Sequence, residues 1–261
     1  ALASASPPAA QADVLACANP PNSEALAIMA SIEHDIRSHT HVSHMKIQSS
    51  SLDRRESRPT PSAHQELESL WTVLDSNEIE TRGLYVFSGP GRLAGTTLLL
   101  RDRIGSLDND AMWLYLRGFD SFTKIESTAR RRTVVPGTSL TYEDAKGFIS
   151  VDKYGFSFAA EPPTEGFATI VACPATPELA SDLGYGALTL QVDLEKKIVL
   201  AIDYQDLAGK PLKKYRVEKR QQVENLWLPK RVLLTHLANG TQTLLEYDHW
   251  LPATSPPEGL F

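Results

Sequence analysis

From Leu188 to Trp250 the apolar residues return at every second position, and the runs are separated by turns too short to hold a helix. Leu188, Leu190 and Val192 alternate with Thr189, Gln191 and Asp193, and Ile198, Leu200, Ile202 and Tyr204 make one face of the next run. Residues 193–197 and Ala208-Gly209-Lys210 read as turns, and Asn239-Gly240 reads as the hairpin joining 229–236 to 241–250. Parallel strands would need long crossover connections, so these strands must pair antiparallel. Reading the whole chain this way predicts a mainly β fold with a few helices and about eleven strands.

One helix precedes the strands. Ser23 reads as its N-cap, Glu24 favours the first turn, and Leu26, Met29, Ile32 and Ile36 keep to one face before a stop near 37–40. Residues 1–22 are rich in Ala, Ser and Pro and read as a disordered tail, and residues 252–261 as a Pro-rich tail. Residues 49–63, with Pro59 and Pro61, read as a long loop inside a single domain over 23–251.

The chain has 261 residues, with 26 basic against 32 acidic side chains and a net charge of −6. That balance excludes an overall field for nucleic acid, so no nucleic-acid partner is expected. No apolar run approaches the ~18 residues of a spanning helix. The opening Ala1-Leu2-Ala3-Ser4-Ala5 looks like the residue of a cleaved signal peptide. Cys17 and Cys173 are either one bridge or two separate thiols.

Three clusters invite a chemical reading, and each has a structural alternative. His34, His39, His41 and His44 fall close together, but no cysteine or carboxylate spacing completes a metal signature, so none is expected. Thr141-Tyr142-Glu143-Asp144 sets two carboxylates beside a phenol; adjacent side chains diverge, which favours a short helix start over paired acid–base catalysis. Arg130-Arg131-Arg132 reads as a solvated loop. The common catalytic signatures are missing, so no enzyme and no cofactor are expected. Leu84-Tyr85-Val86-Phe87, Thr97-Leu98-Leu99-Leu100 and Met112-Trp113-Leu114-Tyr115-Leu116 are apolar on both faces, which means a covered sheet or a cavity wall.

The run Met112-Trp113-Leu114-Tyr115-Leu116, followed by Gly137-Thr138-Ser139-Leu140-Thr141-Tyr142-Glu143-Asp144, resembles the outer-membrane lipoprotein-sorting (LolA-like) family. Gly95-Thr96-Thr97, Tyr185-Gly186, the 204–210 turn and Trp227-Leu228-Pro229 extend the likeness over about 23–250. Arg117 and Ser139 depart from the family's usual Pro and Asp. The resemblance implies an unclosed, curved antiparallel β-barrel covered by helices, with an apolar cavity for lipid or lipoprotein acyl chains. It implies a periplasmic carrier whose partners are an acylated lipoprotein or lipid and an inner-membrane transporter or outer-membrane acceptor. An envelope-stress or lipid-sensing regulatory module is the alternative, and an enzyme on the same scaffold the third reading. Tyr85, Phe87, Leu99, Trp113 and Tyr115 are the expected cavity lining, and a Cys17–Cys173 disulfide is expected from the likeness to periplasmic proteins.

Overall fold

The computed structural model describes residues 17, 19–51, 60–73, 80–89, 93–103, 111–126, 133–135, 137–159 and 166–252. Arg130 to Arg132 and Pro59 lie outside them. Among the described residues thirteen strands form one antiparallel sheet, two more than the alternation predicts. The first six are β1 (His41–Ser51), β2 (Thr60–Val73), β3 (Glu80–Phe87), β4 (Thr97–Arg103), β5 (Ala111–Leu116) and β6 (Ser121–Lys124). The second group is β7 (Tyr154–Phe158), β8 (Phe167–Pro174), β9 (Ala187–Asp193), β10 (Ile198–Gln205), β11 (Pro211–Val223), β12 (Leu226–His236) and β13 (Thr241–Pro252). Each group is a meander, and the single long-range pairing of β1 with β13 joins the two. β6 and β7 stand at opposite ends of the strand order, so the sheet is not closed.

Local chemistry explains several joints. Asp206 Oδ1 accepts from the N–H groups of Ala208 and Lys210, and Gly209 takes a φ of 76° that a side chain would resist. Asn239 Oδ1 accepts from Thr241 N–H in the β12–β13 hairpin. The expected loop over 49–63 is shorter than the prolines imply. Residues 49–51 belong to β1 and 60–63 to β2, and Pro61 faces Ser50 where the register shifts, a place that tolerates a missing N–H.

Helix α1 (Ser23–Arg37) is capped by Asn22, whose side chain accepts from the N–H groups of Glu24 and Ala25. The cap therefore lies one residue before the expected Ser23. The buried face runs through Ala25, Met29 and Ile32, while Leu26 is 44 % exposed. A second helix, α2 (Pro177–Leu183), starts at Thr176, whose Oγ1 accepts from Leu179 N–H; it is too short for its periodicity to stand out in the sequence. Residues before α1 are tied to the sheet edge: Asn22 N–H donates to Phe156 O, Asn19 Nδ2 to Phe158 O, and a disulfide joins Cys17 to Cys173.

Side chains bury in two clusters. One packs α1 against β7–β10 through Met29, Ile32, Phe156, Ile170 and Leu190. The other packs residues 134–145 against β1, β3–β5, β12 and β13 through Ile47, Phe87, Leu98, Met112 and Val232. Tyr215 touches both.

Candidate functional site

Between the two clusters lies a cavity of about 180 Å³. The sheet supplies one wall with Met45, Ile47, Tyr85, Phe87, Leu98, Ile202, Tyr204, Tyr215, Leu234, Leu245 and Tyr247. Met29, Ile32 and Ile36 of α1 face them, and residues 143–149 contribute Ala145, Phe148 and Ile149. Trp227, Leu228, Pro229 and Trp250 add to the apolar lining, and Glu33, Arg37, His39, His41, Thr81 and Lys146 are among its polar members. The wall is predominantly apolar.

Of the five expected lining residues, Tyr85 and Phe87 line the cavity and Leu99, Trp113 and Tyr115 do not. Register explains the split. Leu98 pairs with Tyr85, so Leu98 shares its inward face, and Leu99 pairs with Leu84 on the other face. Trp113 pairs with Leu99 and Tyr115 with Thr97, so both follow Leu99 outward. Met112 is buried inward beside Leu100, and Leu114 packs on the same cluster. Choosing residues one position along a strand selects the opposite face. Leu116 ends β5 and leads into the turn to β6, where Tyr115 Oη donates to Asp120.

The second motif holds residues 143–149 in place. Thr141 N–H donates to Asp144 Oδ2 at 2.9 Å, and Asp144 N–H donates to Thr141 Oγ1 at 3.2 Å, a reciprocal closure of one turn that resembles a capping box. Tyr142 is buried in the second cluster, and Tyr85 Oη donates to Ala145 O. Asp144 and Glu143 part ways, as their adjacency requires. Asp144 pairs with Lys213, while Glu143 lies 3.5 Å from Lys146 Nζ.

Lys213 is buried among aromatic rings. Its Nζ donates to Tyr185 Oη at 2.8 Å and sits 4.3 Å from the centre of the Tyr204 ring. Burial pushes its ammonium down and Asp144 opposes that shift. A second ionic group sits where α1 meets β4. Asp102 accepts from Arg37 and, at 2.9 Å, from Lys146, with Lys153 Nζ 3.7 Å away. Burial alone would raise Asp102, but Lys146, Lys153 and Arg37 outweigh it and hold the carboxyl well below the usual range. Glu33 Oε1 accepts from Arg37 and Oε2 from Val151 N–H, and burial pushes this carboxyl up. Sequence reasoning misses these residues. The available signal is parity: Asp102 continues the Leu98, Leu100 face, so a carboxylate on an apolar face requires buried partners.

The histidines separate along α1 and β1. His39 Nδ1 bonds Asp35 O and His41 Nδ1 bonds His39 O, and both rings line the cavity. His44 faces Asp248 at 3.1 Å. Among the described residues no three His, Cys, Asp or Glu side chains are grouped to hold a metal.

Residues 80–261 match a family model described as an uncharacterized protein. No curated protein sequence matches the chain significantly. Among solved structures, a DUF1329 family protein from Desulfovibrio piger superposes with a TM-score of 0.79 at 15 % identity, covering 91 % of this chain and 95 % of that one. A putative outer membrane lipoprotein-sorting protein domain from Vibrio parahaemolyticus gives 0.71 at 20 % identity over 90 % and 94 % of the two chains. A LolA superfamily protein from Nitrosomonas europaea gives 0.63 at 13 % identity over 89 % and 94 %. The fold is LolA-like.

Proposed function

We propose a function from one premise: the chain belongs to the DUF1329-like family of uncharacterized proteins, whose model spans residues 80–261, and shares the fold of the lipoprotein-sorting proteins. The protein binds an acyl chain of a lipid or lipidated protein in the cavity under α1, without catalysis. It acts as a periplasmic carrier between a membrane donor and an acceptor. The observation that carries this reading is the apolar cavity itself, closed by a helix rather than filled by side chains.

The magnitudes suit such a ligand. Engineered apolar cavities of about 150 Å³ stay dry and take up benzene, so about 180 Å³ admits a segment of one chain as the protein stands. Each methylene taken from water contributes about 0.8 kcal/mol. A longer chain would require α1 to move outward, and a moving cover is also what release demands. The disulfide supports the location, because such bonds persist in oxidising compartments.

Native mass spectrometry of gently purified protein tests the reading. Lipid-sized adducts that disappear on delipidation are expected. Replacing Ile36 on the cavity wall by Trp should narrow the site and weaken uptake of a fluorescent acyl probe at least tenfold. Affinity should change little between low and physiological salt, since burial and not exposed charge holds the chain. Protein without adducts that also fails to take up the probe would refute the proposal.

A further inference from the structure

Two residues of the cavity lining each carry a buried polar atom that no described residue satisfies. Thr81 and Arg37 are 2 % and 5 % exposed and both line the cavity. Among the described residues neither Thr81 Oγ1 nor Arg37 Nε has a hydrogen-bond partner. The two belong to one place. Thr81 is opposite Asp102 across β3 and β4, so their side chains leave the same face about 5 Å apart. Arg37 reaches that same Asp102, with Nη1 on the carboxylate and Nη2 on the backbone carbonyl. Buried polar groups in native proteins are overwhelmingly hydrogen-bonded. A hydroxyl and an N–H in the lining of a mainly apolar cavity, on two side chains that share Asp102 as a neighbour, are therefore suited to a ligand oxygen.

The surrounding charge says which oxygen. Arg37, Lys146 and Lys153 face Glu33, Asp102 and Glu143, three cations against three carboxylates. Both Glu33 oxygens accept, from Arg37 and from Val151 N–H. A ligand carboxylate would bring a fourth negative charge into a desolvated group whose three cations already face three carboxylates. A neutral carbonyl would bring an acceptor and no charge.

We propose that Arg37 Nε and Thr81 Oγ1 are the polar end of the site, and that they select acyl chains headed by an uncharged carbonyl, an ester or amide, over free fatty acid anions. This rests on the reading of the cavity as an acyl-chain site. The test is displacement of N-phenyl-1-naphthylamine from the delipidated full chain at pH 7.5 by methyl laurate, dodecane and laurate, for the native protein and Thr81→Val. Valine keeps the shape and removes only the hydroxyl, so the ion network around Asp102 is left intact. Methyl laurate should displace the probe at concentrations about tenfold lower than either competitor. Thr81→Val should remove most of the ester's advantage over dodecane and leave dodecane unchanged.

Equal midpoints for ester and dodecane would overturn the proposal, the polar end then being met by water alone, with the apolar site intact. Laurate outcompeting the ester, or an ester preference untouched by Thr81→Val, would overturn it too. Failure of all three to displace a bound probe would refute the acyl-chain reading itself, and the selection with it.

Discussion

His41 lines the cavity with its ring 4.8 Å from that of Trp250. Burial pushes its imidazole down to about 4. An unfolded histidine titrates near 6.5, so between the two values the unfolded chain binds the extra proton. Stability should therefore be full above about pH 6.5 and fall as the pH drops towards 4. The loss attributable to this one ring is about 3 kcal/mol. Urea unfolding at pH 7 and pH 4.5 checks it, with His41→Phe expected to flatten that part of the profile. Lys213 illustrates the opposite dependence on a partner. Lys213→Met would strand the Asp144 carboxylate, which among the described residues keeps Thr141 N–H and Tyr185 Oη as donors. A cost of about 3 kcal/mol is expected, because breaking one side of a buried pair leaves its charge uncompensated. A loss below about 1 kcal/mol would mean that water reaches Asp144.

Elements are legible in the sequence to the extent that one face is wet. β9 alternates cleanly, with Leu190 and Val192 inward where period two places them, and Ile202 and Tyr204 of β10 follow. A register shift between Val199 and Ala201 breaks the expected β10 face at Leu200, so that Val199, opposite Val192, packs on the cluster instead. β4 and β5 are apolar on both faces, so alternation offers no parity, and it cannot tell Leu99, Trp113 and Tyr115 from the inward Leu98, Leu100 and Met112. Arg101, Asp102 and Arg103 break the β4 pattern, and reading Asp102 as inward needs the buried cations of α1 and 146–153, which lie far away in sequence. Turn chemistry is the more dependable guide, since it is local. Gly186 carries it furthest: a Cβ there would sit 2.4 Å from the Asp206 carbonyl oxygen, and Gly186 N–H already donates to Gln205 O. Backbone cannot step aside as a side chain can. Gly186→Ala should cost about 1–3 kcal/mol, read as a lowered urea midpoint with an unchanged slope.

At the scale of the whole molecule, one sheet carries two meanders and a single long-range seam between β1 and β13. The cavity exists because α1, packed in the first cluster, covers the space between that cluster and the second without filling it. Two small sets of contacts fasten the ends of α1. Arg37 and Glu33 hold one end, and at the other the segment from Cys17 to Asn22 is tied to β7 and β8. Cys17 and Cys173 are 156 residues apart in sequence. In the chain-entropy picture, closing so long a loop restricts the unfolded state by about 5 kcal/mol, and measured values are commonly smaller. Cys17→Ser with Cys173→Ser should therefore lower the melting temperature by about 10 °C. The effect should also be local, because the bond anchors the approach to α1: amide exchange in α1 should quicken while β9–β12 stay protected. Exchange that rises evenly across the sheet would mean that the bond acts only on the unfolded chain, and that α1 is kept over the cavity by its packing and its ion pairs alone.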